Sequence, residues 1–458
     1  MPTNELWSEI SEYVIRKMSE SRIPALSIAV IVNNEVKYTR GFGYRDLDKG
    51  LPANEGTVYG IGSVTKSFTA LAIMQLREEG KLELTDPVSK YLSINLKVRG
   101  EDVTIHHLLT HTSGIPALGY AEALIDGYLG ITDSWLPTAD PNDVIDFMRG
   151  ATEWSVAKPG ERFYYLNEGY VLLGKVIERV SNVKYADYIR SKILKPLKMR
   201  RTYLERDEVV KDENVATPYI VSIDGSIRKG KFPYGIQADG GILSNVLDLS
   251  NYILMYLSRG EFGGYRIVSK ESIEAMERPY VRIPHTLLGN EGYGYGLIIY
   301  PNFLGTNTKL VCHSGSVLVY TAFIGYVPEK GVGVAILANA SGYPLSNIGM
   351  YVIAKLLNTD VTKLPFVTYE EVASKLVGNY VGFKGTIKVR VSKEGDFLYI
   401  NERIDGKEVK VPLIPVKLTK DKAEFYTLIN SRRVMVEFLI SDKEVTLLYE
   451  RYKLIKKP

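Results

Sequence analysis

The chain has 458 residues, of which 45% are hydrophobic, so it can bury a large core and divide into more than one domain. Its formal net charge is only +4, and basic residues are interleaved with acidic ones along the chain. This mixed charge argues against a nucleic-acid partner, because nucleic-acid-binding proteins concentrate basic residues on one surface.

The N-terminal segment and the cysteine content indicate the compartment. MPTNELWSEISEYVIRKM predicts a charged amphipathic helix without the apolar core of a signal peptide. No apolar run approaches the ~18 to 20 residues of a membrane span. The one cysteine, Cys312, excludes internal disulfides and a four-cysteine metal site. We therefore expect a soluble, cytoplasmic protein with no membrane partner, and the scarcity of glutamine favours a thermophilic source.

The predicted elements of the first 357 residues alternate between strands and helices. LSIAVIV and EVKYTRGFG flank the dipeptide NN and predict a β-hairpin over 26–43. SFTALAIMQLREEG predicts a buried helix, because it is apolar on nearly every side. Residues from about 84 to 235 predict a helical subdomain. Strand signals return in KLVCHSGS, YTAFIGYV and VGVAILAN, so the predicted fold class is α+β, with helices flanking an antiparallel sheet built from both ends of this region.

The pattern changes after residue 357. The segment 358–367, NTDVTKLPFV, predicts a linker. Beyond it, alternating segments such as TIKVRVS, DFLYINE and RVMVEFLI are separated by short polar turns. Such spacing predicts a C-terminal antiparallel β-barrel over 368–458.

The segment GIGSVTKSFT places Ser63 three residues before Lys66, so on a helix the amine lies beside the hydroxyl. Such an amine can take the hydroxyl proton, and the N–H groups of a first helical turn favour developing negative charge. Ser63 also has two glycines before it and a buried helix after it. The same spacing recurs, without that context, in Ser155–Lys158, Ser181–Lys184 and Ser226–Lys229.

Two further segments carry candidate site residues. FYYLNEGY holds Tyr165 and Asn167 just before an amphipathic helix, and capping of that helix by Asn167 is the structural alternative. HSGS holds His313 and Gly315 on a predicted strand. There the glycine permits close approach of a substrate, and the histidine can donate a hydrogen bond to an anionic group. A strand-end histidine with an ordinary hydrogen-bond partner is the alternative.

Taken together, Ser-x-x-Lys, Tyr-x-Asn and His-x-Gly resemble the three motifs of the serine β-lactamase and penicillin-binding-protein superfamily. The similar branch holds class C β-lactamases, D-aminopeptidases and family VIII carboxylesterases. LTDPVSKYL, TIHHLLTHTSGIP and ADGGILSNVLDLSNYI also resemble that branch, so the resemblance covers about residues 5–355. The C-terminal region is similar to the lipocalin-like domain of some archaeal members, which implies a homo-oligomer formed through the barrel.

The resemblance implies a role for each site residue. Ser63 would be the acylated nucleophile, and Lys66 the base or the partner of the base. Tyr165 would relay the proton to the leaving group and then activate the deacylating water. Asn167 would hold the lysine and the substrate amide. The backbone N–H groups of Ser63 and Ser316 would form the oxyanion hole.

The third motif distinguishes between activities within the superfamily. His313, two residues before Gly315, occupies the position at which β-lactamases and penicillin-binding proteins usually carry lysine. A neutral histidine anchors a carboxylate less well, so efficient β-lactamase activity is not expected. We expect a peptidase or amidase acting on small or D-amino-acid-containing peptides. A short-chain carboxylesterase with weak β-lactamase activity is the alternative.

Two other classes of function, a zinc hydrolase and a non-catalytic binding protein, are less consistent with the sequence. HHLLTH places His107 and His111 four residues apart, as in zinc hydrolases, but no glutamate follows His107 and no third ligand stands out. We therefore expect these histidines to be structural and the enzyme to need neither metal nor organic cofactor. A non-catalytic binding or assembly protein on the same fold is disfavoured, because all three motifs are intact.

Overall fold

The computed structural model describes residues 3–131, 140–222, 224–235, 237–404 and 406–457. The chain divides into two compact units, Met1–Thr359 and Asp360–Pro458. The first unit contains a large antiparallel sheet with helices, and the second contains a closed barrel of eight antiparallel strands. These architectures confirm the predicted α+β fold class with a C-terminal barrel.

The helices of the described residues are α1 (Asn4–Ser21), α2 (Thr65–Glu78), α3 (Ile105–Leu109), α4 (Tyr120–Leu129), α5 (Pro141–Phe147), α6 (Asn167–Ser181), α7 (Tyr185–Ile189), α8 (Arg206–Val209), α9 (Val246–Leu257), α10 (Lys270–Met276), α11 (Leu345–Leu356) and α12 (Pro365–Leu376). Within the part of the chain that the structure describes, none of them is both long and apolar enough to cross a bilayer.

The strands of the first unit are β1 (Ala25–Val32), β2 (Glu35–Asp46), β3 (Leu51–Pro52), β4 (Tyr59–Gly60), β5 (Lys97–Val98), β6 (Glu101–Asp102), β7 (Tyr219–Val221), β8 (Ile227–Lys229), β9 (Leu243–Ser244), β10 (Glu261–Phe262), β11 (Tyr265–Arg266), β12 (Val281–Arg282), β13 (Gly292–Tyr293), β14 (Ile298–Tyr300), β15 (Leu310–Ser316), β16 (Thr321–Val327) and β17 (Val332–Ala338). The strands of the second unit are β18 (Gly378–Val381), β19 (Lys388–Glu394), β20 (Phe397–Ile404), β21 (Lys407–Leu418), β22 (Lys422–Ile429), β23 (Arg432–Ile440), β24 (Val445–Tyr449) and β25 (Tyr452–Lys456).

The large sheet has the strand order β12-β13-β14-β15-β16-β17-β1-β2-β3. Strand β1 pairs with β17, so residues from both ends of the unit meet in the middle of the sheet, as the sequence predicts. The predicted hairpin joins β1 to β2. Asn33 and Asn34 both have positive φ angles, which suit a two-residue hairpin turn and which asparagine tolerates.

Helix α2 lies in the core of the first unit. Its side chains from Thr65 to Leu76 are all buried, which matches its apolar sequence. The ring of Phe68 stacks on Tyr252 of α9 with centroids 3.8 Å apart. This packing fixes the start of α2, and with it the Ser63 and Lys66 side chains.

The start of the second unit differs from the prediction. Residues 358–367, predicted as a linker, contain a short turn at Val361–Lys363 and the first residues of α12. Proline is favoured at a first helical position, which allows α12 to begin at Pro365. Val372 and Leu376 then lie one turn apart and pack into the barrel core.

Candidate active site

Two glycines bring the turn before α2 against strand β15. Ser63 lies in the 3₁₀ turn Gly62–Val64. A Cβ on Gly62, whose φ is +49°, would lie 2.7 Å from the backbone nitrogen of Ser316. A Cβ on Gly315 would lie 1.9 Å from the Ile61 carbonyl oxygen and 2.9 Å from the Ser63 nitrogen. Only glycine at both positions lets the backbone nitrogens of Ser63 and Ser316 approach one place.

The Lys66 amine is fully buried beside the Ser63 hydroxyl. Its Nζ donates to Ser63 Oγ at 3.2 Å, to Asn167 Oδ1 at 2.8 Å and to the Asp239 carbonyl oxygen at 2.7 Å. It also lies 4.9 Å from the centroid of the Tyr165 ring. The three acceptors are uncharged oxygens, and together they direct the amine towards the serine.

Asn167 is the first residue of α6, and its side chain reaches Lys66. The residue in the capping position is Leu166, whose N–H donates to Nδ1 of His111 at 3.0 Å. The alternative that Asn167 caps the helix is therefore wrong.

The His111 ring packs against the Tyr165 ring. The two ring centroids are 4.2 Å apart. Burial lowers the pKa of His111 well below its usual value, and the Lys66 and His313 charges act in the same direction. Its Nε2 has no hydrogen-bond partner among the described residues. His111 is therefore a neutral ring that packs against Tyr165.

The other histidine of the zinc alternative also has a structural contact. His107 Nδ1 accepts a hydrogen bond from the Thr104 N–H at 3.2 Å and so caps helix α3. Within the described ranges, no group of three or more His, Cys, Asp or Glu side chains could hold a metal ion. These contacts favour the structural interpretation of His107 and His111.

Both ring nitrogens of His313 on strand β15 have partners. Nδ1 lies 2.6 Å from the Ser314 carbonyl oxygen, which can only accept, so this nitrogen carries the proton. Nε2 then accepts from the Tyr293 hydroxyl at 3.0 Å. Burial lowers the pKa of His313 to about 4, with the Ser314 hydrogen bond opposing this shift and the Lys66 charge adding to it. At neutral pH the ring therefore brings no positive charge to the site.

A cavity of about 620 Å³ connects these groups. Lys66 does not line the cavity but donates a hydrogen bond to Ser63 Oγ, which does. The predicted site residues that line the cavity are Ser63, Tyr165, Asn167, His313, Gly315 and Ser316. Six of the seven predicted site residues therefore line one cavity, and the seventh, Lys66, donates hydrogen bonds to two of them.

The cavity wall also holds a buried acid that is not predicted from the sequence. Asp239 is 2% exposed, and one of its carboxyl oxygens accepts from the Tyr120 hydroxyl at 2.7 Å. The other oxygen has no partner among the described residues. Burial raises the pKa of Asp239, and the Lys66 charge opposes that shift. Its position before two glycines in ADGGILSNVLDLSNYI was the only signal available in the sequence.

Known protein families match both parts of the chain. Residues 10–357 match the family model described as Beta-lactamase, and residues 361–455 match the Pab87 octamerisation domain. The solved octameric penicillin-binding protein homologue from Pyrococcus abyssi is 53% identical, with a TM-score of 0.93, over 98% of this chain and 99% of that chain.

Two less similar proteins also match this chain. Penicillin-binding protein 4* of Bacillus subtilis (strain 168) is 30% identical over 320 residues, which are 65% of this chain and 64% of that protein. A D-stereospecific amidohydrolase from Streptomyces sp. is 24% identical, with a TM-score of 0.62, over 77% of this chain and 98% of that one, and shares the fold. The chain therefore belongs to the beta-lactamase family, whose members are serine hydrolases.

Proposed function

We propose that the protein is a peptidase or amidase that cleaves small or D-amino-acid-containing peptides through an acyl-enzyme on Ser63. The observation that carries this proposal is the fully buried Lys66 amine, 3.2 Å from Ser63 Oγ. A dehydrated amine held at this distance is suited to receive the hydroxyl proton. The amidohydrolase that shares the fold supports amide chemistry.

Acylation requires the neutral form of the Lys66 amine, whose lone pair takes the hydroxyl proton as Ser63 Oγ attacks the substrate carbonyl carbon. The oxyanion of the tetrahedral intermediate accepts hydrogen bonds from the N–H groups of Ser63 and Ser316, which the two glycines bring together. When the carbon–nitrogen bond breaks, the departing amine receives a proton through Tyr165, which Lys66 resupplies. Asn167 holds Lys66 and the substrate amide in place.

Deacylation reverses the proton movements. Tyr165, a half-buried residue of the cavity wall, accepts a proton from the attacking water as its own phenolic proton passes to the Lys66 amine. The water oxygen forms a bond to the ester carbon, and Ser63 Oγ leaves and is reprotonated from Lys66. The hydrolysed acid then departs. The proton that Ser63 loses to the leaving amine during acylation is therefore replaced by one from water during deacylation.

The neutral His313 supports a peptidase or amidase over an efficient β-lactamase. A β-lactam presents a carboxylate that a cationic side chain binds strongly. Because the pKa of His313 is lowered to about 4, the ring carries no charge at neutral pH. We therefore propose that β-lactam hydrolysis is slow.

We further propose that the protein assembles into an octamer through its C-terminal unit. Residues 361–455 match an octamerisation domain, and the Pyrococcus abyssi homologue, at 53% identity, is octameric. The barrel carries exposed apolar side chains that a protein interface can cover, among them Phe383, Val416 and Leu428.

A kinetic panel tests the proposed activity. The substrates are D- and L-aminoacyl p-nitroanilides, p-nitrophenyl esters and nitrocefin, and Ser63→Ala is the control. We expect Ser63-dependent cleavage of anilides, higher rates for the D-isomers and slow nitrocefin turnover. Equal D and L rates with dominant ester turnover would favour the carboxylesterase alternative. Lack of turnover of every substrate would favour a non-catalytic protein.

A further inference from the structure

His111 contacts the peptide groups on both sides of Tyr165. Its backbone carbonyl oxygen accepts a hydrogen bond from the N–H of Tyr164 at 2.8 Å. Its ring nitrogen Nδ1 accepts from the N–H of Leu166 at 3.0 Å. The tyrosine of the proposed proton relay therefore lies between two hydrogen bonds to one residue.

The segment that carries Tyr165 depends on these two bonds. Residues 162–166, all within the described ranges, belong to no helix or strand, and helix α6 begins only at Asn167. Such a segment lacks the repeating hydrogen bonds that fix the backbone of a helix or a sheet. The place of the Tyr165 ring at the cavity is therefore set by its contacts with His111.

Aromatic rings enclose the His111 side chain, which is 1% exposed. Their centroids lie 4.2 Å (Tyr165), 4.9 Å (Tyr293), 5.1 Å (Tyr170) and 5.7 Å (Phe163) from that of the imidazole. In a close-packed interior the imidazole cannot turn without displacing one of these rings. Nδ1 therefore stays directed at the N–H of Leu166.

The imidazole makes one hydrogen bond at a cost. Because Nδ1 accepts from an N–H, the proton of the neutral ring lies on Nε2. This buried Nε2 has no partner among the described residues, which costs free energy. A phenylalanine ring would fill the space without that cost. What the imidazole adds is the bond to the peptide group that follows Tyr165.

We propose that His111 is a positioning residue for Tyr165, whose ring its two hydrogen bonds hold at the cavity. This inference rests on the proposed function, in which Tyr165 supplies the proton of the leaving amine and takes one from the deacylating water. Attack by Ser63 uses Lys66 instead, so it should proceed without His111.

Three variants separate the hydrogen bond from the packing. His111→Phe keeps an aromatic ring but offers no acceptor to Leu166. His111→Asn keeps an acceptor close to the position of Nδ1, and asparagine tolerates the φ of +57° found here. His107→Phe is the matched control, because His107 Nδ1 also accepts a backbone N–H, that of Thr104 at 3.2 Å, and His107 is not among the described residues that line the cavity.

Two leaving groups test the proposal. p-Nitrophenolate leaves an ester without a proton, whereas the amine of an anilide needs one. In His111→Phe we expect kcat for a D-aminoacyl p-nitroanilide to fall about 10²-fold and KM to change less than about threefold. With a p-nitrophenyl ester this variant should release one p-nitrophenolate per site at about the wild-type rate, and later turnover should be about 10²-fold slower. His111→Asn should stay within about tenfold of wild type, and His107→Phe within about twofold.

Fluorophosphonate labelling of Ser63 counts the folded sites of each variant, and every rate is expressed per labelled site. If His111 only stabilises the fold, His111→Phe will show fewer labelled sites with unchanged rates per site, which would overturn the proposal. An ester burst slowed as much as the later turnover would overturn it too, as would equal losses in His111→Asn and His111→Phe.

Hydrogen exchange separates this inference from the proposed function, because it needs no activity. Peptides that cover residues 163–166 should exchange at least about tenfold faster in His111→Phe than in wild type or His107→Phe. If that increase appears but wild type cleaves no substrate, His111 positions Tyr165 as inferred and the proposed function is wrong. Unchanged exchange would overturn the inference, whatever the activity.

Discussion

At the scale of single residues, the chemistry depends on where the Ser63 proton goes. We propose that Lys66 takes it, because its amine is fully buried and 3.2 Å from the hydroxyl. Asn167 and the Asp239 carbonyl fix the amine from the other side. A base of this kind must lose and regain a proton in each cycle.

Replacing Lys66 by arginine tests whether proton transfer, and not charge alone, is required. Guanidinium keeps the positive charge but does not lose its proton in proteins. We expect Lys66→Arg to lower kcat by about 10³-fold, as measured by steady-state hydrolysis of an aminoacyl anilide. Lys330→Arg, at an exposed turn, is the matched control. Retention of more than a tenth of the activity in Lys66→Arg would mean that the residue acts only through its charge.

His313 links stability to pH. Its pKa is lowered to about 4 in the folded protein from an ordinary 6.5, so between these values the unfolded chain binds more protons. The resulting stability is fully present above pH 6.5 and is lost as the pH falls towards 4. We expect this group to contribute about 3 kcal/mol of pH-dependent unfolding free energy.

Denaturant unfolding at pH 7 and pH 4 measures that contribution. His313→Gln removes the titrating ring. Between pH 7 and pH 4 the unfolding free energy of this variant should therefore fall by about 3 kcal/mol less than that of wild type. His285→Gln replaces an exposed histidine, and its unfolding free energy should fall by as much as that of wild type. An identical pH dependence in wild type and His313→Gln would show that His313 does not titrate as described.

At the scale of elements, the site depends on the contact between strand β15 and the turn before α2. Gly315 makes that contact possible, because any Cβ there would clash with the Ile61 carbonyl oxygen at 1.9 Å. Displacing the strand would move the Ser316 N–H away from Ser63. The proposed oxyanion hole would then lose one of its two donors.

Gly315→Ala should therefore affect both activity and stability. We expect kcat/KM to fall by at least about 10²-fold, through loss of an oxyanion donor, and the unfolding free energy to fall by about 1 to 3 kcal/mol. Gly382→Ala is the control, since its Cβ would meet its nearest neighbour at 3.4 Å and its φ is −76°. Wild-type kinetics in Gly315→Ala would contradict the proposed oxyanion hole.

Elements with a strong local pattern could be predicted from the sequence. The hairpin β1–β2, the buried helix α2 and strands β15 to β17 follow from apolar periodicity and turn residues. Helix α12 could not be predicted from the sequence, because Pro365 is compatible both with a linker and with the first position of a helix. The Tyr120–Asp239 contact joins residues 119 positions apart, and a local sequence pattern cannot predict such a contact.

At the scale of the whole molecule, the residues of the candidate site all belong to the first compact unit, whereas the second unit is a closed barrel. Side chains of the same unit fill the barrel core, among them Leu376 of α12 and the strand residues Phe425 and Phe438. The match of residues 361–455 to an octamerisation domain supports the proposed role in assembly for this unit.

The proposed assembly predicts a definite mass. Eight copies of the 51.4 kDa chain give a particle of about 410 kDa in light scattering coupled to size exclusion. The mass should persist at 1 M salt, because contacts between apolar side chains such as Phe383 and Leu428 are not screened. A monomer mass at micromolar protein concentration would contradict the assembly proposal.

The central claim is that Ser63 is the residue acylated during turnover. Mass spectrometry of the intact and digested protein after treatment with a fluorophosphonate probe tests it most directly. We predict one adduct per chain, on the peptide that contains Ser63, and none in folded Ser63→Ala. An adduct on another serine, or an unlabelled wild-type protein that is shown to be folded, would contradict the account.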